Sequence, residues 1–338
     1  MHVQTKDPKP DQKGPAKDRW TVLEVLRWTT GRFQERALAT PRLDAEVLIA
    51  AALGLPRVQL YVQFERPLEV AELAVIREHV RRRQAGESVA YVVGHKEFFG
   101  LEFAVDSRVL VPRPDTETLV DEALARWRAR GTAPTVAPEQ PSVTALASES
   151  ASASASTSTS ILETSSLPSP EPARIADVGT GSGAIVIALG RQLPDAALFA
   201  VDISEPALEV ARANAARHAV AVTFVAGDLT APLASLGPFD VIVSNPPYVP
   251  SADIAQLAPE VRSEPALALD GGADGLDLVR RIVTAAPSLL APGGALAIEI
   301  GAGQAEPTVA LFYAAGFTDV RLRRDLGSVD RVVSGVKP

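Results

Sequence analysis

Ile175-Ala176-Asp177-Val178-Gly179-Thr180-Gly181-Ser182-Gly183-Ala184 reads as the end of a strand, a glycine-rich turn and the first turn of a helix. Glycines at three alternate positions free the backbone for a tight turn and let a ligand approach the amides of a helix N-terminus. Outward from this stretch the chain alternates strand and helix. Strands are predicted at 174–178, 197–201, 222–226, 239–243, 294–300, 317–323 and 330–335, and helices at 183–192, 205–217, 273–290 and 303–315. This rhythm predicts an α/β domain with a mainly parallel, doubly wound, Rossmann-like sheet. Only Arg324 to Val329 separate the last two strands, too little chain for a parallel crossover, so an antiparallel final strand pair is expected.

In such a sheet, ligands sit at the C-terminal ends of the strands. Asp202 ends the strand after the glycine loop, about 20 residues on, where a carboxylate can accept both hydroxyls of a ribose. Gly179, Gly181 and Ala184 also satisfy the dinucleotide pattern, so the loop by itself suits a nicotinamide cofactor or S-adenosyl-L-methionine equally. Three neighbours favour the second. Asp177 stands where a carboxylate meets a cationic α-amino group. Asp228 with Leu229 follows the third strand, where a side chain and an N–H can read an adenine edge. Ser204 reads as the cap of the helix after Asp202, which leaves Asp202 free for the ligand.

The third neighbour is Asn245-Pro246-Pro247-Tyr248, after the apolar run Phe239 to Val243. Two prolines end the strand, because each lacks an N–H and has a fixed φ. The rigid loop then offers an amide side chain, two prolyl carbonyls and an aromatic ring. That set suits a planar NH2 group: the Asn245 side-chain oxygen and a prolyl carbonyl each accept one N–H, and the Tyr248 ring covers the face.

The rest of the chain bounds these readings. Its 338 residues allow about two domains, and 46% hydrophobic residues supply packed cores. With no cysteine, disulfides, thiolate metal sites and a cysteine nucleophile are excluded. His2, His79, His95 and His218 have no ligand spacing, so no metal site is expected. A net charge of −8 argues against a direct electrostatic grip on nucleic acid. No apolar run approaches the roughly 20 residues of a membrane span, and no membrane partner is expected. Residues 1–18 read as a polar, disordered tail without a secretion signal, and the chain as cytoplasmic.

Residues 19–90 read as a small helical domain. Thr21 and Glu24 form a capping-box pattern. Pro41 opens a second helix with Leu43, Val47, Leu48 and Ala51 on one face and Gly54 at its end. Val70 to Gln84 forms a third, with Leu73, Ile76 and Val80 in a stripe and Arg81, Arg82 and Arg83 at its tail. Those arginines read as a solvated helix end complementing the dipole, or as a contact for an acidic partner. Residues 91–112 read as a linking β-hairpin. The domain 113–338 follows, opening with Pro112-Arg113-Pro114-Asp115-Thr116-Glu117, where Thr116 or Asp115 can cap the helix Leu119 to Arg130. Within it, 131–173 is rich in Ser, Ala and Pro and reads as a disordered insertion.

Four blocks carry a resemblance: Tyr91 to Leu101, Val109 to Glu117, Asp177 to Gly183, and Ser244 to Val249. With Ser263-Glu264-Pro265 and Gly271 to Asp277, they closely resemble the PrmC/HemK family of release-factor glutamine methyltransferases. The resemblance implies a helical N-terminal domain that recognises peptide chain release factors and a C-terminal class I methyltransferase domain. It implies transfer of a methyl group from S-adenosyl-L-methionine to the glutamine side-chain amide of the Gly-Gly-Gln motif. Gly179, Thr180, Gly181, Ser182, Gly183, Asp202, Asp228 and Leu229 are then the cofactor residues, with Asn245 at the junction. Asn245, Pro246, Pro247 and Tyr248 hold the glutamine. Two other functions use similar loops: a DNA adenine amino-methyltransferase and a non-catalytic cofactor-binding scaffold. The acidic charge opposes the first, and the intact Asn–Tyr loop opposes the second.

Overall fold

A computed structural model describes residues 19–131 and 172–338. The tail expected at 1–18 and the body of the insertion expected at 131–173 lie outside the described residues. The chain forms two compact units. One takes the described residues up to Pro112 together with Ala252–Asp270, and the other takes Arg113–Ser251 with Gly271–Pro338.

The first unit contains α1 (Val22–Glu35), α2 (Pro41–Ala52), α3 (Arg57–Val62), α4 (Val70–Gln84) and α5 (Val89–Val93). The hairpin β1 (His95–Phe98) with β2 (Leu101–Ala104) follows. The capping box of α1 is present: Glu24 N donates to Thr21 Oγ1 at 3.4 Å and Thr21 N to Glu24 Oε2 at 3.2 Å. Val22, Leu26 and Phe33 of α1 share a core with Leu48 and Ile49 of α2 and Ile76 and Val80 of α4.

Four expectations need correction in this unit. Leu43 is exposed, and α2 buries Asp44, Ala45, Leu48 and Ile49 instead of the Leu43 face. The physical reason is Arg83, which is buried and donates through Nε to Asp44 Oδ2 at 2.8 Å. A buried ion pair puts a charged residue on the core face and masks the helical period. The arginine run is accordingly neither a solvated end nor one contact surface. Arg83 closes the core and donates to the Glu87 carbonyl, Arg82 pairs with Glu87 and reaches the Tyr91 and Val92 carbonyls, and Arg81 pairs with Glu78 on the surface. The hairpin is also shorter than 91–112, because residues 91–93 complete α5, whose αL cap is Gly94. Residues 252–270, placed by sequence in the 113–338 domain, pack with this first unit: Glu264 accepts from Val111 N at 3.0 Å, and Arg83 lies 3.5 Å from Glu260.

The second unit begins with α6 (Glu117–Gly131). It continues through β3 (Arg174–Val178), α7 (Ala184–Gln192), β4 (Ala197–Asp202), α8 (Glu205–Arg217), β5 (Thr223–Ala226) and β6 (Phe239–Ser244). The short α9 (Pro259–Arg262) falls in the 252–270 segment. Then come α10 (Asp277–Leu289), β7 (Leu290–Glu299), α11 (Ala305–Ala314), β8 (Thr318–Arg324) and β9 (Asp330–Val336). The seven-stranded sheet has the order β5-β4-β3-β6-β7-β9-β8. Strands β3 to β7 pair in parallel, and β9 runs antiparallel to both β7 and β8, as the short final connection requires. This is the class I methyltransferase arrangement. Alternate residues Ala176, Val178 and Ile242 join Val279, Ile282, Val283 and Phe312 of α10 and α11 in the main core.

The strand order reverses between β3 and β6, so a crevice opens at their C-terminal ends. Register makes the rim level. Val178 pairs with Val201 and with Ser244, Asp202 with Ala226, and Ser244 with Ile298. The residues one step further, Gly179, Asn245 and Glu299, therefore sit side by side.

Candidate active site

The glycine loop is held from below by backbone hydrogen bonds: Gly179 N and Thr180 N both donate to Val201 O, at 2.8 and 3.0 Å. Gly179, Gly181 and Gly183 have φ of 75°, 54° and 81°, the left-handed region that strains any side chain. A Cβ built at Gly179 or Gly181 meets nothing within 4 Å, so the space above the loop is open. At Gly183 a Cβ would crowd Ile187 and Ala211, so that glycine serves helix packing.

Asp202 is not free, contrary to the sequence reading. Gly181 N donates to its Oδ2 at 2.8 Å and Ser204 N to its Oδ1 at 2.9 Å, while Ser204 caps α8 through Ala207 N. Each carboxylate oxygen keeps a second lone pair, so Asp202 braces the loop and can still accept ribose hydroxyls. Asp177 is fully buried at the foot of the loop. Its Oδ2 accepts from Thr180 Oγ1 at 2.7 Å, and its Oδ1 has no partner among the described residues. Burial pushes this carboxyl up to about 7. The Asp202 charge adds to the rise, and the Thr180 hydroxyl and Val186 N–H oppose it. A buried carboxylate with one oxygen left unpartnered is what a cationic amino group would complete. Asp228 is engaged by Arg281, which departs from the adenine-reading role expected of its side chain. Leu229 stands at φ 48° just after it.

The Asn245–Tyr248 loop is built from three distant segments. Asn245 Nδ2 donates to Thr116 Oγ1 at 3.2 Å. Thr116, expected as a helix cap, is thereby tied to the loop, and Asp115 lies 3.4 Å from Arg331 of β9. Gln304 donates through Nε2 to the Tyr248 carbonyl at 3.0 Å, and Gly271 N donates to the Val249 carbonyl at 2.9 Å. Gly271 and Gly275 let the second segment lie against the loop. A Cβ at Gly271 would stand 2.7 Å from the Pro247 carbonyl, and one at Gly275 would overlap the Tyr248 carbonyl. The Tyr248 ring rests against Gly301, where a Cβ would meet its Cδ2 at 3.1 Å. Burial raises the Tyr248 hydroxyl pKa, and Glu299 raises it further.

Sequence reasoning missed Gln304, Thr116 in this role, and Glu299. Glu299 is 1% exposed at the end of β7. Burial pushes it up to about 7; the Thr116 hydrogen bond and the Arg331 and Arg113 charges oppose the rise, and Asp115 adds to it. The available signal was a lone carboxylate between Ile298 and Ile300 in a strand with both faces covered, where no solvent face excuses it.

Comparison with known proteins matches this architecture. Residues 24–94 match the PrmC N-terminal domain family, and 151–262 match the methyltransferase small domain family. The release factor glutamine methyltransferase of Geobacter sulfurreducens is 43% identical over 317 residues, covering 94% of this chain and 96% of the relative. The chain belongs to the release factor glutamine methyltransferase family. Members from Chlorobaculum tepidum and Bradyrhizobium diazoefficiens are 40% and 42% identical; the alignments cover 95% and 94% of this chain and 98% and 95% of theirs. Among solved structures, the release-factor-specific protein-(glutamine-N5) methyltransferase of Alicyclobacillus acidocaldarius is 27% identical. It covers 70% of this chain and 99% of its own, at a TM-score of 0.38, too low to add weight.

The rim fits the cofactor of that family, S-adenosyl-L-methionine. Asp177 offers the unpartnered oxygen for an amino group, the open face over Gly179 and Gly181 admits the ligand, and Asp202 keeps acceptors for a ribose. No helix among the described residues is long and apolar enough to cross a membrane.

Proposed function

We propose that this enzyme methylates the side-chain amide nitrogen of the glutamine in the Gly-Gly-Gln motif of peptide chain release factors, in the cytoplasm, with its N-terminal helical part recognising the factor. The observation that carries the reading is the way round Asn245 is held. Its Nδ2 is committed to Thr116, so Oδ1 is the atom left to meet an incoming N–H.

An amide nitrogen is a weak nucleophile because its lone pair is delocalised into the carbonyl. Asn245 Oδ1 and the Pro246 carbonyl accept the two N–H bonds of the substrate amide. This holds the nitrogen in line and stabilises the positive charge that develops on it. Pro247 keeps the loop rigid, and the Tyr248 ring packs on the amide plane. When bound, S-adenosyl-L-methionine supplies an electrophilic methyl group on a sulfonium sulfur. Asp177 holds its amino group, and Asp202 its ribose. Gly179 to Gly183 line it with backbone, and Leu229, beside Asp228, presents an N–H to the adenine. No side-chain base is required, because an N-methylated, protonated amide is acidic enough to give its proton to water.

Incubation with labelled cofactor and either release factor or adenine-containing DNA tests the reading. A single methyl on the Gly-Gly-Gln peptide, found by mass spectrometry, is expected. Label in DNA, or in neither substrate, overturns it.

A further inference from the structure

Behind the substrate loop a line of side chains runs into the end of the sheet. Asn245 Nδ2 donates to Thr116 Oγ1 at 3.2 Å, and a side-chain hydrogen bond from Thr116 holds the Glu299 carboxyl down against the rise that burial causes. A hydroxyl has one proton. If Thr116 accepts from Asn245, its own proton goes to Glu299. The register of β6 with β7 brings the two ends of this line together, since Ser244 pairs with Ile298.

We propose that Thr116 and Glu299 are positioning residues that decide which way round the Asn245 amide is held, and so whether an acceptor or a donor meets the substrate amide. The proposal rests on the methyl-transfer reading above. The two ends of an asparagine amide have nearly the same shape, and only the hydrogen bonds around them separate the orientations. A flipped Asn245 would turn an NH2 toward the substrate NH2, donor against donor, and the in-line hold would be lost. Threonine alone does not choose, because its hydroxyl both donates and accepts. A charged carboxylate accepts only. By taking the Thr116 proton, it leaves Thr116 nothing but lone pairs for Asn245, and the choice passes along the line.

This gives a reason for a carboxylate in a place where it is costly. Glu299 is buried and its Oε2 has no partner among the described residues, an arrangement that a purely structural residue would not need. The charged and titratable groups that face it are Arg331 of β9, Asp115 and Arg113 of the loop before α6, and Tyr248 of the substrate loop. Arg331 is shared, since it also pairs with Asp325 at 3.0 Å and with Asp115 at 3.4 Å. With the Glu299 carboxyl pushed up to about 7, it takes a proton as the pH falls through neutrality. Once protonated it becomes a donor to Thr116, the Thr116 proton is free to turn, and the flipped amide is no longer excluded. Turnover should therefore be full above this value and fall below it.

The test compares wild type with Thr116→Val, Thr116→Ser and Glu299→Gln, at saturating cofactor so that Asp177 is already paired. Thr116→Val should lower kcat on release factor by roughly 10- to 100-fold, the scale of a mispositioned reacting group, with cofactor affinity by calorimetry unchanged. Thr116→Ser, which restores the hydroxyl, should recover most of the rate. Glu299→Gln should remove the acidic limb of the kcat–pH profile near neutrality. An unchanged kcat in Thr116→Val, or the same acidic limb in Glu299→Gln, overturns the proposal. A readout free of activity is the side-chain NH2 resonance of Asn245, assigned by its loss in Asn245→Ala. It should titrate with the Glu299 carboxyl in wild type and not in Glu299→Gln; a resonance indifferent to both pH and Glu299→Gln overturns the proposal. If wild type methylates no release factor, the functional reading falls alone, and the resonance still decides the positioning role. Should Thr116→Val fail to fold, Glu299→Gln and the resonance carry the test.

Discussion

The two halves of the rim are built in opposite ways. The glycine loop is a local device: ten consecutive residues form it, and its brace, Asp202, comes from the adjacent strand. The Asn245–Tyr248 loop, proposed to take the substrate, is a convergence. Asn245, Pro246, Pro247 and Tyr248 are held by Thr116, by Gly271 and Gly275, and by Gln304, which are far apart in the chain. A cofactor with a fixed skeleton is served by backbone amides and open space. A small planar amide has to be told donor from acceptor, and that takes side chains whose own orientation is fixed by others.

Breaking the substrate half should give the larger effect. Asn245→Ala is expected to lower kcat by about 100-fold or more, on the order of 3 kcal/mol, while cofactor affinity stays near wild type. Near-normal turnover would sink the assignment of Oδ1 to the substrate. Asp202→Ala should act on the other half, weakening cofactor binding by about 30-fold, on the order of 2 kcal/mol, through lost charge-assisted hydrogen bonds and an unbraced Gly181. Calorimetry with unchanged affinity would remove its ribose role.

Asp177→Asn should give the smallest change in binding, about tenfold, coupled to a stability effect of opposite sign. The folded-state value of about 7 exceeds the ordinary 3.8. The native state thus keeps a proton that the unfolded state has lost, so stability falls as pH rises from about 4 to about 7 and stays lower above. Neutralising the side chain should raise the midpoint of thermal unfolding of the cofactor-free protein at pH of about 8 by a few degrees. A lower midpoint there would show that the buried charge is already compensated.

The local half was legible in sequence. The glycines and Asp177 announce themselves by type and spacing, and elsewhere in the fold the short link before β9 dictates the antiparallel pair. The convergent half was only partly legible. Thr116 sits in a conspicuous motif, yet its partner Asn245 lies 129 positions away, and a hydroxyl beside a helix start looks like a cap. Asp202 and Asp228 illustrate the same limit: residue type showed two carboxylates on the rim, while the partners occupying them, Gly181 and Arg281, belong to tertiary structure. Arg83 was misread for a related reason. A charged residue in a basic run reads as surface unless its buried partner, here Asp44, is known.

The excursion of residues 252–270 into the first unit has a consequence for how the protein is made. Domains ordinarily condense in the order in which they emerge from the ribosome. Here the first unit remains incomplete after Pro112 has been synthesised, because Glu260 and Glu264, which meet Arg83 and the Val111 N–H, come much later in the chain. Strands β3 to β6, the last of which leads into Asn245, are translated first. Asn245 to Tyr248 therefore emerge before the helical unit is finished, while Gly271, Gly275 and Gln304, which hold them, emerge after it; cutting the gene at residue 112 would yield two fragments, of which the first lacks a part of itself and the second carries it.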